Sequence, residues 1–247
     1  YNLLTVLQTL LKSEHFYDKD NADPTDEIFG GIVKSPLQLF SEVISALDIT
    51  IPNPEASVNN QPASWTQGQQ DFYNFFHKFC NNTFFPSTGM NVFSPDSVAG
   101  YPADYQGPDY DRSWFSSNSI VARYKTIESL IAGKNRILGL LTGAQGNSYF
   151  QNIWIQFNSV EFVANPNHFS NPYDSTVLVT ELAELLFCES LNEARLNYFT
   201  QSLFDIDPGY WSEAWAQYVN NGNEVQVKIR LDALFTKLIN AAEFQLM

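Results

Sequence analysis

The densest run of side chains able to engage a ligand lies between Gly100 and Trp114, "GYPADYQGPDYDRSW". Tyr101, Tyr105, Tyr110 and Trp114 offer flat amphipathic rings, and Asp104, Asp111 and Arg112 offer charged hydrogen-bonding groups. Rings set beside carboxylates and a guanidinium hold neutral sugars or peptide edges by stacking and by paired hydrogen bonds. Pro95, Pro102 and Pro108 stiffen the path and Gly100 admits a backbone angle that other residues avoid, so such a loop loses little entropy on binding. The same residues also read as a strut. Arg123 stands beside the apolar stripe of the next helix, and a guanidinium at a core boundary calls for a carboxylate, which Asp96 or Asp111 would supply. On that reading Gly100, Pro102, Trp114 and Arg123 clamp the loop to the helix, while Asp104 to Arg112 faces solvent.

Elsewhere the chemistry is sparse, and no catalytic residue is assigned. His15, His77 and His168 occupy unrelated contexts, with no GxSxG, HExxH, P-loop or dinucleotide fingerprint. Asp104, Asp109 and Asp111 are carboxylates of the kind glycoside chemistry uses, but their spacing does not give the separation across a sugar that it needs. Asp18, Asp20, Asn21, Asp23, Asp26 and Glu27 offer hard oxygens suited to calcium. The position where a helix-loop-helix calcium site places its final acid is Phe29, and the turn glycine is missing, so a solvated acidic turn is expected. No metal site and no cofactor is assigned. Cys80 and Cys188 lie in apolar helical contexts without a CxxC, which favours buried free thiols and leaves a disulfide between them open.

The elements that must position these residues are helices. Leu3, Leu4, Leu7, Leu10 and Leu11 recur at helical spacing from the first residues. Ser35 is an N-cap with Pro36 at the first helical position and a stripe of Leu37, Phe40, Ile44 and Leu47. Residues 50–67 and 139–147 read as loops, "GQQDFYNFFHKFC" as a helix, 86–115 as irregular backbone, and the segment after Ser116 or Ser117 as a helix with Ile120, Tyr124, Ile127 and Ile131 inward. "YFQNIWIQFNSVEFV" fits strand or helix, with helix preferred. Val177 to Phe187 is helical, and Ser190 with Glu193 forms a capping box for the next helix. Asp207 and Pro208 open a helix carrying Trp211, Trp215 and Tyr218, "NNGNE" stops it, and Val225 to Phe244 completes the chain. The expectation is a mainly α fold, an irregular multi-helix bundle with long ordered loops and little or no β, forming one domain over 1–247. The aromatic face of Trp211, Trp215 and Tyr218, and the Lys34-Ser35-Pro36 run with its lysine folding back on the acidic loop, are expected to serve packing.

Composition narrows the partners. With 13 basic against 27 acidic side chains the net charge is -14, which repels nucleic acid and anionic lipid at long range. The hydrophobic share of 44% is enough for a packed core. No stretch approaches the length of a membrane span, so no membrane insertion is expected. Because residue 1 already lies inside a helical pattern, the chain is expected to be part of a longer one, with any export signal upstream.

Three stretches in order, "LLKSEHFYD" with "GGIVKSPLQL", "FSPDSVAGYP" with "RSWFSSNSIVARY", and "EAWAQY" with "RLDALFTKLINAAEFQLM", resemble the C-terminal half of the bacterial family catalogued as domain of unknown function 1800, Bacteroidetes-type. The resemblance implies a mostly helical fold, export from a Gram-negative cell to the periplasm, cell surface or medium, an N-terminal helical half, and an exported partner protein of sulfatase-like appearance. It implies no established activity. This chain departs from the commoner pattern at Tyr101, where many members place Trp, and in the acidic insertion "ADYQGPDYD". The function expected is a non-catalytic interaction or ligand-binding module, with an exported protein or a neutral glycan as partner. The alternative is a cell-surface enzyme or accessory protein acting on polysaccharide through the same loop.

Overall fold

The computed structural model describes residues 3–12, 32–49, 51, 53, 72, 74–107, 110–131, 157–188, 190–204, 207 and 209–246. The acidic loop Asp18 to Glu27, most of the 50–67 loop and the 139–147 passage lie outside the described residues, as do Pro108 and Asp109. What is described is mainly helical: among these residues no strand forms, and pairing is limited to isolated bridges at Val33–Leu246 and Ser97–Gly100.

The first helix, α1 (Leu3–Leu11), carries the leucine repeat, with Leu3, Leu4, Leu7 and Leu11 exposed. In α2 (Pro36–Ala46) the Ser35 Oγ accepts the Gln38 N–H at 3.3 Å and Pro36 takes the first turn, as its sequence requires. The buried face is Leu39, Phe40, Val43 and Ile44; Leu37 is exposed, which corrects the expected stripe. At 3.6 residues per turn, Leu37 and Leu39 stand about 200° apart, so only one of them can face inward. A π-helix over Asn74–Phe84 and a helical turn over Phe85–Ser87 follow, bringing Cys80, Phe84 and Phe85 into the core. Phe40 packs on both phenylalanines, with centroids 5.2 and 5.8 Å away.

The segment expected as irregular holds two short helical pieces, α3 (Pro102–Tyr105) and a 3-10 turn over Tyr110–Trp114. It leads into α4 (Ser117–Ile131), where Ile127, Leu130 and Ile131 are buried. Residues 149–156 of the ambiguous stretch lie outside the described residues, and its end forms α5 (Ser159–Ala164), capped by Asn158. Next come α6 (Ser175–Leu186), α7 (Glu193–Thr200), α8 (Tyr210–Asn221), α9 (Val225–Ile239) and α10 (Ala242–Gln245). The cap of α7 is Asn192, whose side chain accepts the Arg195 N–H at 2.9 Å; it displaces Ser190 from the expected role. Gly222 ends α8 in the left-handed conformation at φ 73°, as the "NNGNE" stop implies.

The hub is α9. Val227, Leu231, Leu234, Phe235, Leu238 and Ile239 are wholly buried, and the helix packs against α4, α5, α6, α7, α8 and α10. The expected last helix breaks after Ile239, where Ala241 turns extended at ψ 149° and re-aims the chain so that Phe244 enters the core. Arg195 then grips the final helix with a two-pronged bond to Glu243, at 2.6 and 3.0 Å. Trp211 and Trp215 are buried as packing residues, and the Trp211 indole donates to the Pro172 carbonyl at 2.8 Å. No helix of the described residues is long and apolar enough to cross a membrane.

Both cysteines are free. Cys80 is buried as expected and burial pushes its thiol up to about 12, whereas Cys188 is exposed, because Phe187 takes the inward position at the end of α6. In the native protein one thiol, that of Cys188, is therefore expected to react with a disulfide reagent, and Cys80 only after unfolding; equal native reactivity would contradict the packing. Hydrogen bonds from Arg195 hold the Glu243 carboxyl below its ordinary value, so the pair stabilises the fold above that value and is lost as the pH falls through the lowered one. Thermal melting of Glu243→Gln is expected to show a smaller loss of stability below about pH 4.5 than the parent chain.

Candidate functional site

The loop of aromatic and charged residues is built on a small apolar floor. Trp114 is buried against Val33, Ala103 and Leu246, with its ring 5.5 Å from that of Tyr101. Gly100 sits at φ 106°, a conformation costly for any side-chain-bearing residue, and closes the bridge to Ser97 just before the loop. The Tyr101 hydroxyl donates to the Asn91 carbonyl, tying the loop to the preceding turn. Gly107 lets the Tyr110 ring lie against the backbone: a Cβ there would come within 3.1 Å of the ring. Tyr110 itself takes φ 38° and Phe93 φ 63°, left-handed angles that are strained for bulky residues.

Of the residues singled out from sequence, Trp114 is buried and Tyr101 and Asp111 are half-buried, while Asp104, Tyr105, Tyr110 and Arg112 face solvent. Tyr105 and Tyr110 are 45% and 53% exposed, and the Tyr110 ring lies beside Gly107. Phe93, at 98% exposed, and Phe115, at 36%, are further exposed aromatic rings in the flanking segments, and sequence reasoning passed over both.

Arg123 is wholly buried, but it does not pair with Asp96 or Asp111 as expected. Its Nε donates to Gln245 Oε1 at 3.0 Å and its Nη2 to the Lys34 carbonyl at 2.8 Å. Asp111 instead accepts the Val33 N–H at 2.7 Å. The geometry explains the exchange: the bridge from Val33 to Leu246 brings the Lys34 carbonyl and the Gln245 amide to the guanidinium, and Asp111 meets the strand-like segment from its other side. Desolvation pulls the guanidinium down to about 10, since no acid among the described residues offsets it. Lys34 is buried too. Its ammonium pairs with Glu42 at 2.5 Å and lies 4.4 Å from the centre of the Phe244 ring; the acidic loop it was expected to meet lies outside the described residues.

A second concave feature lies at the far end of α2, a cleft of about 220 Å³ lined in part by Asp48, Phe157, Asn158, Glu161, Asn165 and His168. His168 Nδ1 is 3.0 Å from the Phe162 carbonyl, which can only accept, so that nitrogen carries the proton and Nε2 accepts from the Asn165 amide at 3.2 Å. The asparagines in "FNSVEFVANPNH" are its sequence signal, and sequence reasoning assigned no site to them. None of the loop residues lines this cleft. Among the described residues no group of three His, Cys, Asp or Glu side chains converges as a metal site would.

These features define a mainly helical protein in which the C-terminal segment and Val33–Lys34 together hold the aromatic loop. The chain belongs to the DUF1800 family of proteins of unknown function, whose family model matches residues 1–246. No curated protein and no solved structure matches it.

Removing the floor of the loop should be costly. Trp114→Ala is expected to lower unfolding free energy by about 3–5 kcal/mol in urea titrations, as for other buried large aromatics, whereas Tyr105→Ala should change it by less than about 1 kcal/mol. Similar losses for the two variants would refute the division into floor and display.

Proposed function

We propose that this protein is an exported, non-catalytic interaction module that binds a neutral glycan or an exported partner protein through the loop from Tyr101 to Trp114. The observation that carries the reading is the pairing of exposed Tyr105 and Tyr110 rings with a base pinned by Trp114, Tyr101 and the Asp111 bond to Val33. Rings held in place before binding lose little entropy when a ligand stacks on them. Asp104 and Arg112 stand beside them as hydrogen-bonding groups, a donor and acceptor set that suits sugar hydroxyls or a peptide edge. Export, to the periplasm, cell surface or medium, is supported by the family resemblance of the sequence stretches, and the excess of acidic side chains argues against nucleic acid as the partner.

The alternative, a cell-surface enzyme or accessory protein acting on polysaccharide, uses the same surface and differs in its readout. An array of neutral glycans probed with the chain and with its Tyr105→Ala and Tyr110→Ala variants tests the loop. Retention by the parent and loss in either folded variant is expected if glycan is the ligand. A photo-crosslinking side chain at position 105, used in cells that make the protein, is expected to capture one protein if the partner is a protein. Neither retention nor capture, or retention indifferent to both tyrosines, would overturn the assignment of the loop, and release of shortened glycan would replace binding with catalysis.

A further inference from the structure

The cleft at the C-terminal end of α2 combines an apolar floor with a polar rim. Leu47, Ile49, Phe157 and Phe162 line it and are themselves buried, the two rings standing edge to face with centroids 5.4 Å apart. The rim holds Asp48 from the end of α2, and Asn158, Glu161 and Asn165 from α5 and its two caps. Positions 158, 161 and 165 follow helical spacing, so they share one face. The same three residues wall a second depression of about 490 Å³ that adds Tyr218 and Glu224.

Both amides are fixed in orientation before any ligand arrives. The Asn158 oxygen accepts the Glu161 N–H at 3.3 Å while its nitrogen donates to Glu161 Oε2 at 3.2 Å. The Asn165 oxygen accepts the Asn167 N–H at 3.0 Å while its nitrogen donates to His168 Nε2 at 3.2 Å. Each amide nitrogen keeps a second hydrogen without an acceptor among the described residues. On the acceptor side, Glu161 Oε1 and both Asp48 oxygens have no donor among those residues. Asp48 is also a residue that its own backbone does not call for. It sits at φ 48° just past α2, where the Ile49 N–H returns to the Ile44 carbonyl at 2.9 Å, a helix ending at which glycine is usual. A carboxylate there is opposed by the negative end of the helix, so the position of its side chain on the cleft rim is where it finds a use.

We propose that this cleft binds one ring of a neutral carbohydrate, with Asp48 and Glu161 accepting from its hydroxyls, Asn158 and Asn165 donating to them, and the Phe157 and Phe162 floor meeting its C–H face. A hydroxyl donates and accepts at once, so a ring carrying several of them uses both halves of the rim. A cation would use the carboxylates and leave the amide hydrogens unmatched. An anion would meet carboxylates in both hollows and no basic side chain in either. Nor are the acids gathered around one ion, since among the described residues no three His, Cys, Asp or Glu side chains converge on a metal. Hydroxyl bonds to a carboxylate are charge-assisted and so are the strong ones in such a site. The depression beyond the shared wall leaves room for the rest of a glycan chain. The inference does not rest on the aromatic loop. That loop is held at Val33, before α2 begins, and the cleft lies past the other end of this eleven-residue helix, about 16 Å long.

The test is a titration of the isotope-labelled chain with the methyl glycosides of glucose, mannose, galactose, xylose and N-acetylglucosamine, with cyclohexanol and putrescine as a hydroxyl-poor ring and a cation. The side-chain amide resonances of Asn158 and Asn165 report on the cleft, and those of Tyr105 and Tyr110 on the loop. Saturable shifts at the two asparagines with at least one glycoside, and none with cyclohexanol, are expected. Asp48→Asn keeps a residue that tolerates the left-handed angle and removes the charge, and is expected to weaken binding about tenfold. Glu161→Gln, which still offers an oxygen to Asn158, is expected to weaken it severalfold. Both positions are exposed, so both variants are expected to melt with the parent chain. Shifts confined to Tyr105 and Tyr110 would overturn the cleft while leaving the loop's role standing. The proposal is equally overturned by no shift at the asparagines across the five glycosides, by putrescine or cyclohexanol binding there as tightly as the best glycoside, or by binding unchanged in either folded variant.

Discussion

The guanidinium of Arg123 is the point at which distant parts of the chain are fastened together. From α4 it reaches the backbone of Lys34 just before α2 and the side chain of Gln245 in the last helix. The Gln245 amide passes the connection on to the Ile239 carbonyl at the end of α9, and the Gln245 carbonyl accepts the Lys34 N–H. A neutral acceptor set of this kind leaves the charge under-compensated, so the arrangement persists only because the surrounding helices hold it. Removing Gln245 or shifting Lys34 would strand a buried cation. Core and clasp are therefore interdependent.

The clasp determines what the aromatic loop can be. Val33 and Leu246, the residues flanking the fastened pair, supply the surface on which Trp114 and Ala103 rest, and Val33 gives its N–H to Asp111. The loop is thus attached to the same few residues that secure Arg123, and its tyrosines project from a base continuous with the core. Strut and display are two ends of one segment. Positive φ at Phe93 and Tyr110 adds backbone strain on the exposed side, which the buried side must offset.

Much of this was legible from local pattern. The cap at Ser35, the proline at 36, the glycine stop at 222 and the helical character of nearly every apolar-periodic stretch follow from interactions within a few residues, and they stand as read. Where several local choices were equivalent, pattern misjudged. Ser190 and Asn192 are both competent caps, and the outcome depends on where α6 delivers the chain. Leu37 and Leu39 are equally apolar, and the face presented depends on what α2 packs against. The last apolar-periodic run looked continuous to Phe244, yet burying Phe244 while placing Gln245 beside Arg123 required a break after Ile239.

The amino-acid sequence by itself determined the helical class, the family and the aromatic, acidic character of the loop, because each is set by composition, short-range periodicity or ordered motifs. Tertiary structure alone decided the partners of the buried charges. A guanidinium in a sequence calls for an acceptor, and the carboxylates nearest along the chain look like the natural ones. In the folded protein the acceptors are a carbonyl 89 and an amide 122 positions away, while Asp111 serves a backbone N–H 78 positions away. Proximity across such separations arises from how helices pack, and nothing in local spacing encodes it.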